Sequence, residues 1–283
     1  MRMIMGAVAY DPKVVTIWSG FRDWLRSAGF PFDYVLYSHY ESQVEDLLAG
    51  RIHTAWNSPL AWIRAERLAR SRGRTVRAVA MRDTDLDLRS VVVVREDDAV
   101  RSIADLRGAA VAVGAVDSPQ ATLIPLEYLR RGGLRPGVDV TVRRFDVGVG
   151  LHGDHIGGER DAARALAAGE VTAACMTDAN HLLFVTEGTL LPGATRVIDV
   201  TGPYDHCNMT AVDSAPADLV SAFVDLLLSM SYADPAVRPL LDLEGLTAWR
   251  PGRTSGYADL DEAVGRSGFY DAHGEVTARG YLP

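Results

Sequence analysis

The sequence predicts an α/β protein of two lobes, with mixed, mostly parallel sheets joined by two hinge crossovers. The chain has 283 residues, enough for about two domains. Strand-like and helix-like segments alternate along it, and no linker rich in proline, glycine or serine separates two halves. Lobes that share strands explain both observations. We expect one lobe to comprise residues 1–88 and 209–283 and the other 89–208, with crossovers at Arg89–Glu96 and Tyr204–Asp213. One large doubly wound domain is the alternative.

The elements follow from local patterns. Strands are predicted where short apolar or alternating runs end at turn residues: Met3–Ala9, Tyr34–Tyr37, His53–Trp56, Val76–Met81, Ser90–Arg95, Ala110–Val113, Val140–Phe145 and Val171–Met176. Helices are predicted where longer amphipathic runs follow these strands: Val14–Ala28, Glu41–Ala49, Pro59–Ser71, Pro119–Arg131 and Arg160–Ala168. Apolar strands alternating with helices indicate sheets that are covered on both faces.

Composition excludes several classes of function. The net charge of −8 argues against a nucleic-acid partner, which requires a basic surface. The longest nearly apolar stretch, Leu219–Met230, contains Asp225 and is too short for the roughly 20 residues that span a bilayer, so we expect no membrane-embedded segment. Lys13 is the only lysine, and no phosphate-binding GxxxxGK[ST] motif occurs. The first ten residues read as a strand and not as a secretion signal, which predicts a cytoplasmic protein as written; a periplasmic or extracellular place would require a leader that has been removed.

The segment Arg89–Pro125 carries the most specific pattern. The strand SVVVVRED is followed by SIADLRG, by the strand AAVAVG, and by DSPQATLIP, which opens a helix. Together with DAARALAAGEVTAA and IHTAWNSPLAW, this resembles the type II periplasmic-binding-protein fold, in particular the phosphate/phosphonate substrate-binding proteins of ABC transporters. The resemblance covers most of residues 1–260. It implies two lobes that close on a small molecule, and an ABC permease as a partner.

The helix start at Ser118 is the central feature of this pattern. Serine at the N-cap and Pro119 at the first helical position favour a helix whose free N–H groups and positive dipole end face the crevice between the lobes. A plain helix cap is the alternative. The family carries S-T-S-G where this chain has Ser118, Pro119, Gln120 and Ala121, and it often has a histidine where this chain has Arg160. These departures remove hydrogen-bond donors, so we expect a ligand other than a simple phosphonate.

Histidine, cysteine and carboxylate residues are concentrated in three short segments. These are HGDH at His152–His155, DANH at Asp178–His181, and DHC at Asp205–Cys207. Imidazole, thiolate and carboxylate groups bind zinc, iron or copper, hydrogen-bond to organic ligands, or act in acid–base catalysis. Separate structural roles are the fourth alternative. No cofactor is required by the sequence; a transition-metal site would use His152, His155, His181, His206 and Cys207.

Aromatic and polar residues at strand ends suggest the opposite wall of the cleft. Tyr10 ends the first strand, and Trp56, Asn57 and Ser58 end the third and cap the next helix. The ligand-binding residues predicted from the sequence are Tyr10, Trp56, Asn57, Ser58, Ser118, Gln120, Thr122, His155, Asp178, His181, Asp205 and His206.

The leading interpretation is a solute-binding protein that closes on one small polar or anionic molecule. The alternative is a cytoplasmic enzyme on the same fold, with or without a metal, acting on a small metabolite, since a fold does not fix a function. The histidine and cysteine segments favour the enzyme, while the lack of a recognisable catalytic motif favours the binding protein.

Overall fold

The computed structural model describes residues 1–282 and contains eleven strands within that range. They are β1 (Met3–Val8), β2 (Phe32–Tyr37), β3 (Thr54–Asn57), β4 (Val76–Arg82), β5 (Ser90–Arg95), β6 (Ala110–Val113), β7 (Thr141–Arg144), β8 (Ala173–Thr177), β9 (Thr195–Val200), β10 (Asn208–Val212) and β11 (Trp249–Pro251). They form two sheets. The first has the order β11-β4-β10-β3-β1-β2, and the second has the order β7-β6-β8-β5-β9. We call the part around each sheet the first and the second lobe.

Nine α-helices surround these sheets within the described residues. They are α1 (Lys13–Ser27), α2 (Tyr40–Leu48), α3 (Pro59–Ser71), α4 (Ile124–Arg131), α5 (Gly157–Ala167), α6 (Asp178–Thr186), α7 (Ala217–Ser229), α8 (Arg238–Glu244) and α9 (Ala258–Ser267). A π-helical turn over Pro119–Leu123 leads directly into α4. Helix α1 shows the typical pattern, because Val14, Ile17, Phe21 and Leu25 recur on one face and are buried.

The four valines of β5 show how the second lobe is layered. Val91 and Val93 belong to one buried cluster together with Leu166 of α5. Val92 and Val94 belong to the cluster on the opposite side of the sheet. Because side chains alternate along a strand, an uninterrupted valine run is expected where both faces of a sheet are covered.

The chain crosses from one sheet to the other twice. It leaves the first sheet after β4 and enters the second at β5, and it returns between β9 and β10. The two passing segments lie side by side and pair at Leu88 and Tyr204, where Leu88 N donates to Tyr204 O at 2.8 Å and Tyr204 N to Leu88 O at 2.9 Å.

The predicted α/β class and the two-lobed architecture with mixed sheets are confirmed. The expectation of mostly parallel strands is wrong in detail, since four of the nine strand pairings in residues 1–282 are parallel and five are antiparallel. The antiparallel pairings involve β5, β9, β10 and β11. The physical reason is the connection: β5 and β10 enter their sheets from the other lobe, so they run against their neighbours.

Candidate functional site

Each lobe presents the start of a helix with the same local sequence, Ser-Pro, after a buried strand. Ser58 follows β3, and its Oγ accepts a hydrogen bond from Ala61 N at 3.1 Å. Ser118 follows β6, and its Oγ accepts one from Ala121 N at 3.2 Å. The predicted cap at Ser118 is therefore confirmed, and its role in ligand binding stays a prediction.

A loop over residues 146–156 covers the helix start at Ser118. Asp117 holds it, because its Oδ2 accepts hydrogen bonds from Gly150 N at 2.7 Å and His152 N at 2.9 Å. Gln120 Nε2 donates to Gly153 O at 2.7 Å. Gly153 has a φ of +79°, and a Cβ there would approach the Gln120 amide to 2.6 Å and Ser118 Oγ to 2.8 Å. In this arrangement Ser118 and Gln120 contact the loop.

The same loop places one side chain of the second lobe against the first. His152 has a φ of 52° and is fully buried. Its Nδ1 lies 2.7 Å from Ser58 Oγ, and its Nε2 lies 3.2 Å from Glu41 Oε1 and 3.1 Å from Tyr281 OH. Its ring stacks on Tyr40 at 4.7 Å between centroids. We call His152, Ser58, Glu41 and Tyr281 the His152 latch.

Glu41 is the charged partner in this latch. Burial alone would raise its pKa, but His152 and a hydrogen bond donated by Tyr270 OH lower it to about 2. Tyr281 OH, from the C-terminal segment, also donates to Glu41 Oε1 at 3.0 Å. The latch therefore joins both lobes and the end of the chain through one ionised carboxylate.

Between the lobes, Arg82 at the end of β4 has all three of its guanidinium nitrogens engaged in hydrogen bonds. Its Nε and one terminal nitrogen donate to Asp85 at 2.6 and 2.8 Å, and the other terminal nitrogen donates to Glu244 O at 2.8 Å and lies 3.3 Å from Glu244 Oε1. Its guanidinium also lies over the ring of Trp56, 5.3 Å from the centroid. Burial opposes ionisation of Asp85, yet Arg82 lowers its pKa to about 2.

Three further carboxyl groups at this interface have raised pKa values. Burial raises the pKa of Glu244 to about 7, and it also raises those of Asp154 and Glu159. Tyr40 OH donates a hydrogen bond to Asp154. Glu159 Oε2 accepts hydrogen bonds from Thr177 N at 3.0 Å and Asn180 Nδ2 at 2.8 Å. We call Asp154, Glu159 and Glu244 the acidic triad.

His206 and Tyr10 lie within the electrostatic range of these acids. The charge of His206 lowers the pKa of both Asp154 and Glu159, against the larger effect of burial. Burial, followed by the charges of Asp154 and Glu244, raises the pKa of Tyr10. Lys13 lies beside Tyr10, with Nζ 5.7 Å from the ring centroid. The interface between the lobes therefore combines an excess of carboxyl groups with one guanidinium that is already paired.

The sequence matches one protein family over nearly its whole length. Residues 5–257 match the family described as ABC transporter, phosphonate, periplasmic substrate-binding protein. The chain belongs to this family. No protein of curated function matches the sequence.

Solved structures show the same fold. The chain is similar to PhnD1 from Prochlorococcus marinus (MIT 9301) in complex with methylphosphonate, with 14% identity, a TM-score of 0.66 and coverage of 93% of this chain and 97% of that one. It is similar to XAC2383 from Xanthomonas citri bound to chloride ion, with 17% identity, a TM-score of 0.70 and the same coverage. The periplasmic aliphatic sulphonate binding protein SsuA from Escherichia coli gives 18% identity, a TM-score of 0.55 and coverage of 92% and 89%.

As a member of the phosphonate-type substrate-binding proteins, the chain binds a small molecule and works with an ABC permease. The binding-protein interpretation is favoured over the enzyme alternative, and the predicted family is confirmed. In residues 1–282, no helix is both long and apolar enough to cross a membrane.

The residues predicted to bind ligand do not all lie together. Tyr10, Trp56 and His206 lie at the interface with Arg82 and the acidic triad. Asn57 is buried in a hydrogen-bond chain within the first lobe, donating from Nδ2 to Thr210 Oγ1 at 2.9 Å. Asp205 is held by Arg253 at 2.6 and 2.7 Å beside the returning crossover.

Four predicted residues lie elsewhere in the second lobe. His155 is exposed, and its Nδ1 accepts a hydrogen bond from Gly157 N at 3.0 Å. Asp178 is exposed at the start of α6. His181 Nε2 lies 3.0 Å from Thr195 Oγ1, and burial lowers the pKa of this histidine. Thr122 is buried and lines a different pocket.

The predicted five-residue metal site is not assembled. Among the described residues, the one group of three candidate donors is Asp85, His206 and Cys207, with His206 Nδ1 3.2 Å from Cys207 Sγ. Both oxygens of Asp85 already bind Arg82, and burial raises the pKa of the Cys207 thiol well above its usual range. A metal at these donors would have to displace the ion pair between Asp85 and Arg82, which occupies this position in the structure. His152, His155 and His181 each have other surroundings.

The ligand-binding residues predicted from the sequence did not include Arg82, Asp85, Glu159, Glu244 or Tyr40. Arg82 and Asp85 open the polar segment after β4, so their position at a strand end was a usable signal. Glu244 ends α8 and Tyr40 begins α2, two positions that carry no local signature. Only the folded chain brings them to the interface.

Proposed function

We propose that this substrate-binding protein carries a small zwitterion, a molecule with an oxyanion group and an amino group, for its ABC permease. The observation that carries the proposal is the acidic triad. Glu159 and Glu244 are buried and Asp154 is half-buried, and all three have raised pKa values. Asp154 and Glu244 lie within electrostatic range of one guanidinium, that of Arg82, whose three nitrogens all hydrogen-bond to Asp85 or Glu244. A dianion in this surrounding would raise these pKa values further and so oppose ionisation of the triad.

A cationic group on the ligand would reverse that balance. An ammonium has three N–H donors, and carboxylates are the acceptors that bind it most strongly. A nearby positive charge also lowers a raised carboxyl pKa, so ligand binding would ionise members of the triad. The family and the relative bound to methylphosphonate support a phosphonate as the oxyanion. An aminoalkylphosphonate combines both features.

One further cationic group at the mouth of the interface is available to bind the oxyanion group of the ligand. Lys13 is exposed beside Tyr10. Arg82 supplies a fixed positive charge, although its N–H donors are bound to Asp85 and Glu244. These two cations lie on the first lobe, while Asp154 and Glu159 lie on the second. A zwitterion would therefore bridge the lobes with opposite ends.

The test compares ligands that differ by one amino group. Isothermal titration should give at least about tenfold tighter binding of 2-aminoethylphosphonate than of ethylphosphonate, the value of about one charge-assisted hydrogen bond. Asp154→Asn and Glu159→Gln should remove most of this difference. Asp161→Asn is the matched control, because Asp161 is an acid near the surface of the same helix as Glu159 and pairs with Arg164. Equal or tighter binding of ethylphosphonate by the unmodified protein would contradict the proposal.

We also propose that the protein acts in the periplasm. The family is periplasmic, and its members hand their ligand to a permease in the membrane. Fractionation of the native cells, with detection by an antibody, checks this. Recovery with cytoplasmic markers alone would contradict it.

A further inference from the structure

A pocket lies beside the helix that starts at Ser118, and no member of the acidic triad lines it. Its volume is about 320 Å³, and its walls come from the second lobe and from the C-terminal segment. Leu123 and Leu126 form one apolar wall, Val142 of β7 lies beside them, and Phe269 faces them from the end of the chain. The volume is near the lower limit for pockets that hold small organic ligands, about 300–1,000 Å³.

A buried hydroxyl without a partner lines this pocket. Thr122 is 3% exposed, and its Oγ1 has no hydrogen-bond partner within residues 1–282. Its backbone N–H is satisfied by Ser118 O at 3.2 Å, so the side chain alone lacks a partner. Leaving a buried hydroxyl without a hydrogen bond costs about 1–3 kcal/mol, and a ligand acceptor in the pocket would recover that cost.

The charge of the pocket is opposite to that of the interface described above. Arg144 and Arg279 lie on its wall, one from each side, and no carboxylate lines it within the described residues. Arg144 is paired only with Asp146, at 3.4 Å, and Arg279 makes no ion pair within residues 1–282. Two guanidinium groups above an apolar wall favour an amphipathic anion, since arginine binds carboxylates in a planar, bidentate geometry.

We propose that this pocket is a second binding site, for a small carboxylate with one ring or a branched aliphatic body. The carboxylate would bind Arg144 and Arg279 and accept a hydrogen bond from Thr122 Oγ1. The apolar body would lie against Leu123 and Phe269. These two residues already belong to one buried cluster that crosses from the second lobe to the C-terminal segment. The site is independent of the ligand proposed for the interface, because it uses none of the same side chains.

The experiment uses benzoate as the probe and the full-length protein. Saturation-transfer NMR and calorimetry should show saturable binding of benzoate, with benzamide at least about tenfold weaker because it lacks the charge. Arg279→Gln should weaken benzoate binding about fivefold to tenfold, and Thr122→Val should weaken it by a smaller factor. Arg238→Gln is the matched control, because Arg238 is an exposed arginine of the first lobe that pairs with Asp242 and does not line the pocket.

Several results would overturn this proposal. They are the absence of saturable benzoate binding, equal binding of benzamide, and unchanged benzoate affinity in Arg279→Gln. Arg279 is exposed, so its replacement leaves the core intact and the result stays interpretable even where Thr122→Val fails to fold. Loss of 2-aminoethylphosphonate binding has no bearing on these outcomes, which separates this site from the proposed cleft ligand.

Discussion

Replacing His152 tests whether the latch holds the lobes together. His152→Asn is the suitable change, because asparagine tolerates the left-handed backbone that the φ of 52° requires, while its side chain is too short to reach both Ser58 and Glu41. We expect the ligand-free variant to be more open and less stable than the unmodified protein.

The magnitude follows from the interactions that the imidazole of His152 makes. The ring hydrogen-bonds with Ser58, Glu41 and Tyr281 and stacks on Tyr40, and asparagine cannot replace this set. A typical hydrogen bond contributes about 1 kcal/mol, and a buried group left without its partner costs about 1–3 kcal/mol. Glu41 keeps the hydrogen bonds from Tyr270 and Tyr281, so we expect the free energy of unfolding to fall by about 3 kcal/mol in total. Since about 1.4 kcal/mol is a tenfold change, the closed arrangement would lose about a hundredfold in relative population.

Small-angle scattering and urea unfolding measure the two effects. The radius of gyration of the compact chain should be about 19 Å, and it should rise in His152→Asn. His155→Asn is the control, because His155 is an exposed histidine of the same loop. Loss of stability with an unchanged scattering profile would refute the role in holding the lobes together. Behaviour identical to His155→Asn in both measurements would refute the latch altogether.

Three further predictions concern single groups. Glu244 has a pKa of about 7 in the folded protein, above its ordinary value of 4.5, so the native state loses stability as the pH rises through that interval. The complete loss should be about 3 kcal/mol, measured by urea unfolding at a series of pH values. Glu244→Gln should remove this pH dependence. A flat profile in the unmodified protein would contradict the raised pKa. Ser118→Ala should lower the free energy of unfolding by about 1 kcal/mol through loss of the cap, and no change in chevron or equilibrium data would exclude that role. After dialysis against zinc, the protein should hold no stoichiometric metal, because Arg82 already binds both oxygens of Asp85. The variant His206→Ala should have the same metal content. Binding of one equivalent of zinc that is lost in His206→Ala would reverse this conclusion.

Local patterns were sufficient for the fold. The valine run of β5, the amphipathic face of α1 and the Ser-Pro cap at Ser118 each depend on neighbours in sequence, and the structure agrees with each of them. The direction of β5 and β10 was not predictable in this way, because it depends on which lobe the chain comes from.

The candidate site depends on contacts between distant residues, and sequence could name only part of it. Tyr10 and Trp56 lie at strand ends, so their position was predictable. The contact of His152 with Glu41, 111 positions away, was not, and neither was the approach of Glu244 to Arg82, 162 positions away. His155 lies in the same HGDH segment as His152, yet it is exposed, because a short polar loop does not fix which of its side chains turns inward.

The lone lysine has a practical consequence for binding measurements. The chain has two kinds of primary amine, the side chain of Lys13 and the amino terminus. Lys13 lies at the mouth of the interface, beside Tyr10. Immobilisation by amine coupling would therefore attach many molecules through the entrance of the proposed cleft and suppress ligand uptake. The same chemistry used gently, with a small fluorescent acylating dye, would place a reporter at that entrance in a single step. Both cysteines are buried, so a second fluorophore could be attached to an engineered surface cysteine with little labelling of the native thiols.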